Sequence, residues 1–358
     1  MSAGQIPTGS RTWLDPVWRT GALAWVETRL AEFGRAVDGP VEQPHVRPWS
    51  TAMRIPTDGG VVWFKASGPG MAHEGPLLEV FRGLRVKRVL LPMVVHPSRP
   101  WLLFADAGPT LRMTRPGGDG DHDLAAWERI LAEYAELQRS VEGQAAVEAM
   151  LAAGTPDGRP DRLLSELGRL LDDGPVWARV TPDERVAADL ARRQLGAAGR
   201  VLGEAVAELE GAAVPATIQH DDLHGGNIFV SSDGDRFFDW GDASVAHPFA
   251  TLTATFNSIA YHTARSLDDP AFDRLRDVYL DAWTDRLPRD VLDRVSRIAR
   301  DLACIGKALA WERGLLDLEP DEMDGHGDTV AGWLMEFAER LDRSPWSDRA
   351  SVRHRAPG

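Results

Sequence analysis

A single cysteine, Cys304, rules out an intrachain disulfide. It lies in an apolar helical stretch and reads as a small buried residue. Long apolar runs are also missing, and nothing approaches the ~20 residues of a membrane-spanning helix. The N-terminal MSAGQIPTGSRTW lacks the apolar segment of a secretory signal. A cytoplasmic protein that meets no membrane is therefore expected. Positive charge is short as well: 40 Lys and Arg face 54 Asp and Glu, a net −14. That excludes a general nucleic-acid binder, which needs a basic face. It suits a small cationic ligand, although a solvated acidic surface gives the same count. No internal repeat or low-complexity segment interrupts the chain. What is present is a 43% share of hydrophobic residues in 358. That is enough for a sizeable core and fits about two domains.

The pattern changes along the chain. Asp15 and Pro16 cap a predicted helix to Phe33, which Gly34 stops. Residues 41–47, 51–56 and 61–66 read as strands of a meander, the last two joined by Thr57-Asp58-Gly59-Gly60. A helix over 73–84 and strands over 88–95 and 101–106 complete a small α+β unit. Residues 115–123 and 154–161 read as loops. Helical periodicity then covers 123–141, 163–171, 185–209, 249–265, 271–284, 289–315 and 328–341. Residues 1–12 read as loose, and the tail after Ser344 as polar.

One hairpin interrupts the helices. Asn227–Val230 and Arg236–Asp239 flank the turn Ser232-Asp233-Gly234. His220, Asp222, His224 and Asn227 enter it, and Asp239 and Asp242 leave it, so the two polar clusters should meet at one end. Asn and Asp oxygens are hard ligands suited to Mg²⁺, which protein groups and nucleotide phosphates hold jointly. An unliganded carboxylate beside such a metal can take a proton from an incoming hydroxyl. Far upstream, Lys65 ends the apolar strand VVWFK, and Glu74 opens the next helix. A half-buried lysine needs a partner or an anion. Lysine, metal ligands and base are the parts of phosphoryl transfer. Singly each has a bland reading: Lys65 as a snorkelling lysine, Glu74 as a first-turn acid, Asp242 as a loop cap. Glu79 is a rival partner for Lys65.

The run His220-x-Asp222-Leu223-His224-x-x-Asn227, followed by Phe238-Asp239-Trp240, resembles the catalytic loop and metal segment of the aminoglycoside phosphotransferase family. VWFKA, His73-Glu74 and WLLFADAG resemble its third strand, first helix and interlobe hinge. The resemblance spans residues 40 to 345. It implies a two-lobed, protein-kinase-like α+β fold with a small β-rich N-lobe and a larger, mainly helical C-lobe. The division it implies is a helical extension over 1–38, an N-lobe over 39–107, a C-lobe over 108–345 and a tail over 346–358. It also implies roles. Asp222 would be the base, Asn227 and Asp239 the Mg²⁺ ligands, and Lys65 the α/β-phosphate ligand held by Glu74. The hinge at Phe104, Ala105 and Asp106 would read the adenine of ATP by its backbone, which leaves GTP open. His220 and His224 would brace the loop.

Departures carry information too. GxGxxG is absent from the first hairpin, where Arg47–Thr51 stands instead, with Ser50 or Thr51 as phosphate donors. Asp221 replaces a small residue and is expected to face solvent or brace the loop. No activation-loop signature follows Asp239, which speaks against a protein kinase. The acceptor is expected to be a small hydroxylated molecule: an aminoglycoside-like antibiotic, an amino sugar or an amino alcohol. Asp242, Trp311 and Glu312 are candidates to bind it, since an acid beside an aromatic ring suits an amine. Two rivals stand beside this reading. One is a nucleotide-binding regulator that no longer catalyses. The other is a metal hydrolase using His220, Asp222 and His224, which alternate along an extended segment.

Overall fold

The computed structural model describes residues 6–212, 214–344 and 346. Residues 1–5 and 347–358, parts of the expected loose N-terminus and polar tail, lie outside them. At the N-terminus a short helix, α1 (Ser10–Leu14), precedes α2 (Pro16–Glu32). Asp15 starts α2 by accepting from the Val17 N–H, and Gly34 (φ +67°) ends it. The helix α1 was not foreseen; its Trp13 is buried.

A five-stranded sheet follows, in the order β1-β2-β3-β5-β4. Its members are β1 (Glu42–Arg47), β2 (Ser50–Thr57), β3 (Gly60–Ser67), β4 (Val94–Val95) and β5 (Trp101–Ala105), all antiparallel. Trp13, Val26 and Leu30 of the first two helices pack on Ile55, Val62 and Phe64 of this sheet. Helix α3 (Glu74–Leu84) joins β3 to the β4 region. The strand expected over 88–95 is only Val94–Val95. Arg88 takes φ +65°, and residues 88–90 turn to the hairpin of the other lobe. There the Phe237 N–H donates to Arg88 and the Leu90 N–H to Phe237, at 2.7 and 3.0 Å.

The rest is helical: α4 (Leu124–Ser140), α5 (Gln144–Ala152), α6 (Pro160–Asp172), α7 (Gly174–Ala178), α8 (Arg185–Ala197), α9 (Gly199–Gly211), α10 (Thr251–Thr263), α11 (Pro270–Asp281), α12 (Arg289–Gly314) and α13 (Thr329–Arg343). The single helix expected over 185–209 breaks at Ala198, between Gly196 and Gly199; each glycine weakens a helix by about 1 kcal/mol relative to alanine. The segment over 116–122 is a 3₁₀ stretch rather than a loop. Helix α5 was also not foreseen.

Two small β elements position the polar loops. β8 (Ile228–Phe229) pairs with β9 (Arg236–Phe237), which sets the Phe238 N–H on the Asn227 carbonyl at 3.0 Å. β6 (Asp157–Gly158), β10 (Ser244–Ala246) and β7 (Thr217–Gln219) form a second sheet, with Ser244 opposite Gln219. The chain enters the loop at 220–227 from β7 and leaves the loop at 239–243 into β10. Pairing β7 with β10 therefore brings both loops to one edge, beside the long helix α12. No helix among the described residues is long and apolar enough to cross a membrane.

Candidate active site

Lys65 lies on β3, with its ammonium buried under the sheet. Nζ donates to both Glu74 oxygens, at 2.7 and 2.6 Å, and to Asp239 Oδ1 at 2.6 Å. All three of its protons are thus used on two lobes. Glu74 also accepts from the Trp240 N–H at 3.1 Å, a second tie across the cleft. Glu79, the rival partner, pairs with Arg82 at the surface. Burial works against the Lys65 charge, but the carboxylates of Asp239 and Glu74 outweigh it and raise its pKa. Burial raises Glu74 despite the neighbouring ammonium. Asp239 is held down by Lys65 against its own burial.

The hairpin loops carry the other half. Asp222 faces a cavity of about 260 Å³ that Asp242 and Lys307 also line. Burial would raise the Asp222 pKa, but the charge of Lys307 and a hydrogen bond from His224 hold it well below the usual carboxylate range. Asn227 donates Nδ2 to the Asp222 backbone carbonyl (3.0 Å) and to Oδ2 (3.3 Å), which leaves its own Oδ1 as a hard oxygen donor. The Asp239 side chain is partly exposed, with Lys65 on Oδ1, and the preceding Phe238 N–H donates to the Asn227 carbonyl, which brings the two segments together. This donor set fits a hard cation completed by phosphate oxygens. Asp239 and Asp221 both adopt left-handed backbone, φ +67° and +60°. Such strain is held only where surrounding contacts fix it.

The histidines brace the loop. The His220 ring packs at a 45° tilt against Trp240, with centroids 4.6 Å apart, and burial lowers its pKa to about 4. As a neutral ring it donates from Nε2 to the Phe238 carbonyl at 2.8 Å. His224 Nδ1 accepts from the Gly226 N–H at 3.0 Å, and Nε2 lies 3.3 Å from Asp222 Oδ2. Asp221 is buried, not solvent-facing. It accepts from Ser244 Oγ, and burial pushes its pKa up to about 6. His220 spends Nε2 on the Phe238 carbonyl rather than turning it toward Asp222 and His224. Among the described residues no three His, Cys, Asp or Glu side chains are grouped to hold a metal ion. The hydrolase alternative loses its basis.

Other expected residues separate. Trp311 and Asp242 line the cavity, but Glu312 does not. Its carboxylate is taken by Arg169 in a two-point pair at 2.7 and 2.5 Å. Ser50 Oγ sits 3.2 Å from His45 Nε2 at the start of β2. Phe104 packs its ring on Phe238 and pairs through β5 with Trp63, while Ala105 pairs with Val62. The Asp106 N–H is spent on the Val61 carbonyl at 3.2 Å, and its carboxylate accepts from Trp63, so Asp106 has no N–H left for a base. Three residues of the site were not foreseen: Trp49 and Trp333, which line the cavity, and Lys307. A usable signal existed for Lys307. The chain has only three lysines, at 65, 87 and 307, and two of them are buried in this cleft.

The profile of the phosphotransferase enzyme family (APH) matches residues 101–294, more than half of the chain. The chain belongs to this family. Solved structures agree on the fold at low identity. A choline/ethanolamine kinase family protein from Mesorhizobium loti superposes with a TM-score of 0.60 at 14% identity, covering 93% of this chain and 99% of that one. A GDP and kanamycin complex of an aminoglycoside 2″-phosphotransferase gives 0.54 at 14% identity, over 88% and 98%. The macrolide 2′-phosphotransferase of Brachybacterium faecium gives 0.53 at 16% identity, over 87% and 97%. No curated protein matches in sequence. This family member is thus a small-molecule phosphotransferase with a two-lobed, kinase-like fold.

Proposed function

We propose that the protein transfers the γ-phosphoryl group of ATP, with Mg²⁺, to a hydroxyl of a compact molecule. The observation that carries this reading is the buried Lys65–Glu74–Asp239 bridge between the lobes, set beside Asp222 and Asn227. Lys65 holds the α/β-phosphates. Asn227 and Asp239 would hold Mg²⁺, which would supply positive charge against the phosphates. Asp222 orients the acceptor hydroxyl and takes its proton. The acceptor oxygen forms its bond to the γ-phosphorus as the bond to the β-bridging oxygen breaks, and that electron pair leaves with ADP. Positioning and charge neutralisation supply most of such catalysis.

The cavity supports a narrower acceptor class. Its volume of about 260 Å³ lies below the ~300 Å³ lower end of sites that take drug-sized ligands. Trp49, Trp311 and Trp333 give it aromatic walls, and Asp222 and Asp242 give it acid. Amino alcohols and single-ring amino sugars suit that space and that chemistry better than multi-ring antibiotics.

The test is an ADP-release screen over ethanolamine, choline, glucosamine, nucleosides, kanamycin and erythromycin, repeated with Asp222→Asn. The compact acceptors are expected to lead. The variant should lose about 10²–10⁴-fold in kcat, the range typical of general base catalysis, with ATP binding held within about twofold. Full activity in Asp222→Asn would remove it as the base, and kanamycin or erythromycin leading the screen would remove the size argument.

A further inference from the structure

Lys307 projects from the middle of α12 into the cleft and is 5% exposed. Its Nζ donates to the Asp221 backbone carbonyl at 2.6 Å. It also lies 3.6 Å from Asp222 Oδ1 and 3.7 Å from Asp242 Oδ2. Those two approaches are ion pairs beyond hydrogen-bond length. Only one of its three N–H groups is therefore engaged at hydrogen-bond distance, and the ammonium borders the acceptor cavity. A neutral donor would serve to hold the Asp221 carbonyl. Burying an ammonium for that purpose alone is costly.

The charges around it suggest why a cation stands there. The phosphoryl group must cross a site bounded by the carboxylates of Asp222, Asp239 and Asp242. On the nucleotide side Lys65 opposes that charge. On the acceptor side residues 220–227 contain no lysine or arginine, and Arg313 Nη2 is spent on the Asp242 carbonyl at 3.1 Å. Both groups line the cavity, so an oxygen hydrogen-bonded to Asp222 Oδ1 on the side facing Lys307 falls within reach of the ammonium, which stands 3.6 Å from that atom.

We propose that Lys307 is a catalytic residue of the acceptor half-site. It holds the Asp222 carboxylate toward the cavity and donates its two remaining N–H groups to the oxygens of the phosphoryl group as it crosses. This rests on the phosphotransfer reading. Lys307 keeps its three protons throughout. The hydroxyl proton passes to Asp222, the new O–P bond forms, and the old one breaks with its electron pair leaving on ADP. The donors are fixed before the reaction, in a site partly closed to water, where such groups act most strongly.

The test compares Lys307→Met, Lys307→Gln and Lys307→Cys with the wild-type chain. Gln retains a donor for the Asp221 carbonyl without charge, so it reports even if Met fails to fold. Treating Lys307→Cys with 2-bromoethylamine restores an ammonium at nearly the original reach. Cys304, the one native cysteine, is buried, and treated wild-type protein is the control. The readouts are kcat and KM with the best acceptor of the screen, the Kd of a non-hydrolysable Mg·ATP analogue, and thermal unfolding without ligand. A loss in kcat of about 10²-fold is expected, the size of one lost oxyanion donor. Analogue binding should stay within twofold, and aminoethylation should recover most of the rate. A lower unfolding temperature with kcat kept within threefold overturns the proposal, as does an ammonium that returns without the rate. A wild-type chain inactive toward every acceptor ends the phosphotransfer reading and this proposal with it, whereas active wild type and equally active variants end this proposal alone.

Discussion

At the scale of single residues, the site is a set of buried charges that tolerate burial only together. Glu74 is 2% exposed, and its ammonium partner comes from Lys65. Removing one partner of a buried pair leaves the other uncompensated and typically costs about 3–5 kcal/mol. Lys65→Met should therefore destabilise the fold by about 3 kcal/mol in urea unfolding, besides abolishing productive ATP use. Adding Glu74→Gln should recover a large part of that stability and none of the activity. A double variant less stable than Lys65→Met would show that the charge of Glu74 is not the source of the loss. These residues were legible in the sequence for a physical reason. Asp222 and Asn227 share one loop, and Asp239 returns on the partner strand of a short hairpin, so spacing alone brings them together. Lys307 sits 85 positions beyond Asp222 on a helix of ordinary periodicity, and no spacing rule links the two. Glu312 misled for the converse reason. Its neighbour Trp311 does face the cavity, but the next residue on a helix points about 100° away, here toward Arg169.

At the scale of elements, close backbone approach sets how the lobes meet. The 3₁₀ turn Pro69–Met71, between β3 and α3, lies on the C-terminal end of α12. A Cβ placed on Gly70 would stand 1.9 Å from the Arg313 carbonyl oxygen. No rotamer change relieves a clash with backbone, so turn and helix must separate. Gly70→Ala is expected to cost about 1–3 kcal/mol, as overpacking does, and to loosen the lobe contact beside Asp242, whose carbonyl accepts from Arg313 Nη2 at 3.1 Å. Chemical denaturation and hydrogen exchange of residues 241–245 measure both effects. An unchanged midpoint would mean that the two elements separate freely. Legibility differed by element as well. Capped or strongly periodic segments such as α2, α4 and α12 stood out. The strand expected over 88–95 failed because its apolar residues find partners on another lobe, which local pattern does not encode.

At the scale of the whole molecule, the cavity proposed to take the acceptor is lined from both lobes. Trp49, on the turn between β1 and β2, lies 5.2 Å from Trp311 edge-on and 5.2 Å from His326, which themselves stack at 5.0 Å. Behind that turn, α1 and the residues before it fix the backbone. The Gly9 N–H donates to Pro48 and Trp13 Nε1 to Arg47, at 2.9 and 2.8 Å. The loop that stands where a kinase carries glycines is thus pinned from behind and carries an indole that lines the cavity. Acceptor binding then depends on lobe closure, and a nucleotide that bridges the lobes should strengthen it. Two aromatic contacts of about 0.5–1.5 kcal/mol each make Trp49→Ala worth a rise of roughly tenfold or more in acceptor KM. The kcat at saturation should change little, since no reacting atom touches the ring. The exposed Arg11–Asp321 pair spans the same gap, yet solvent screens such surface pairs, so Arg11→Ala should leave KM nearly unchanged. If Trp49→Ala instead lowered kcat and left KM alone, the indole would be acting on phosphate geometry, and the two-lobed acceptor cavity would have to be abandoned.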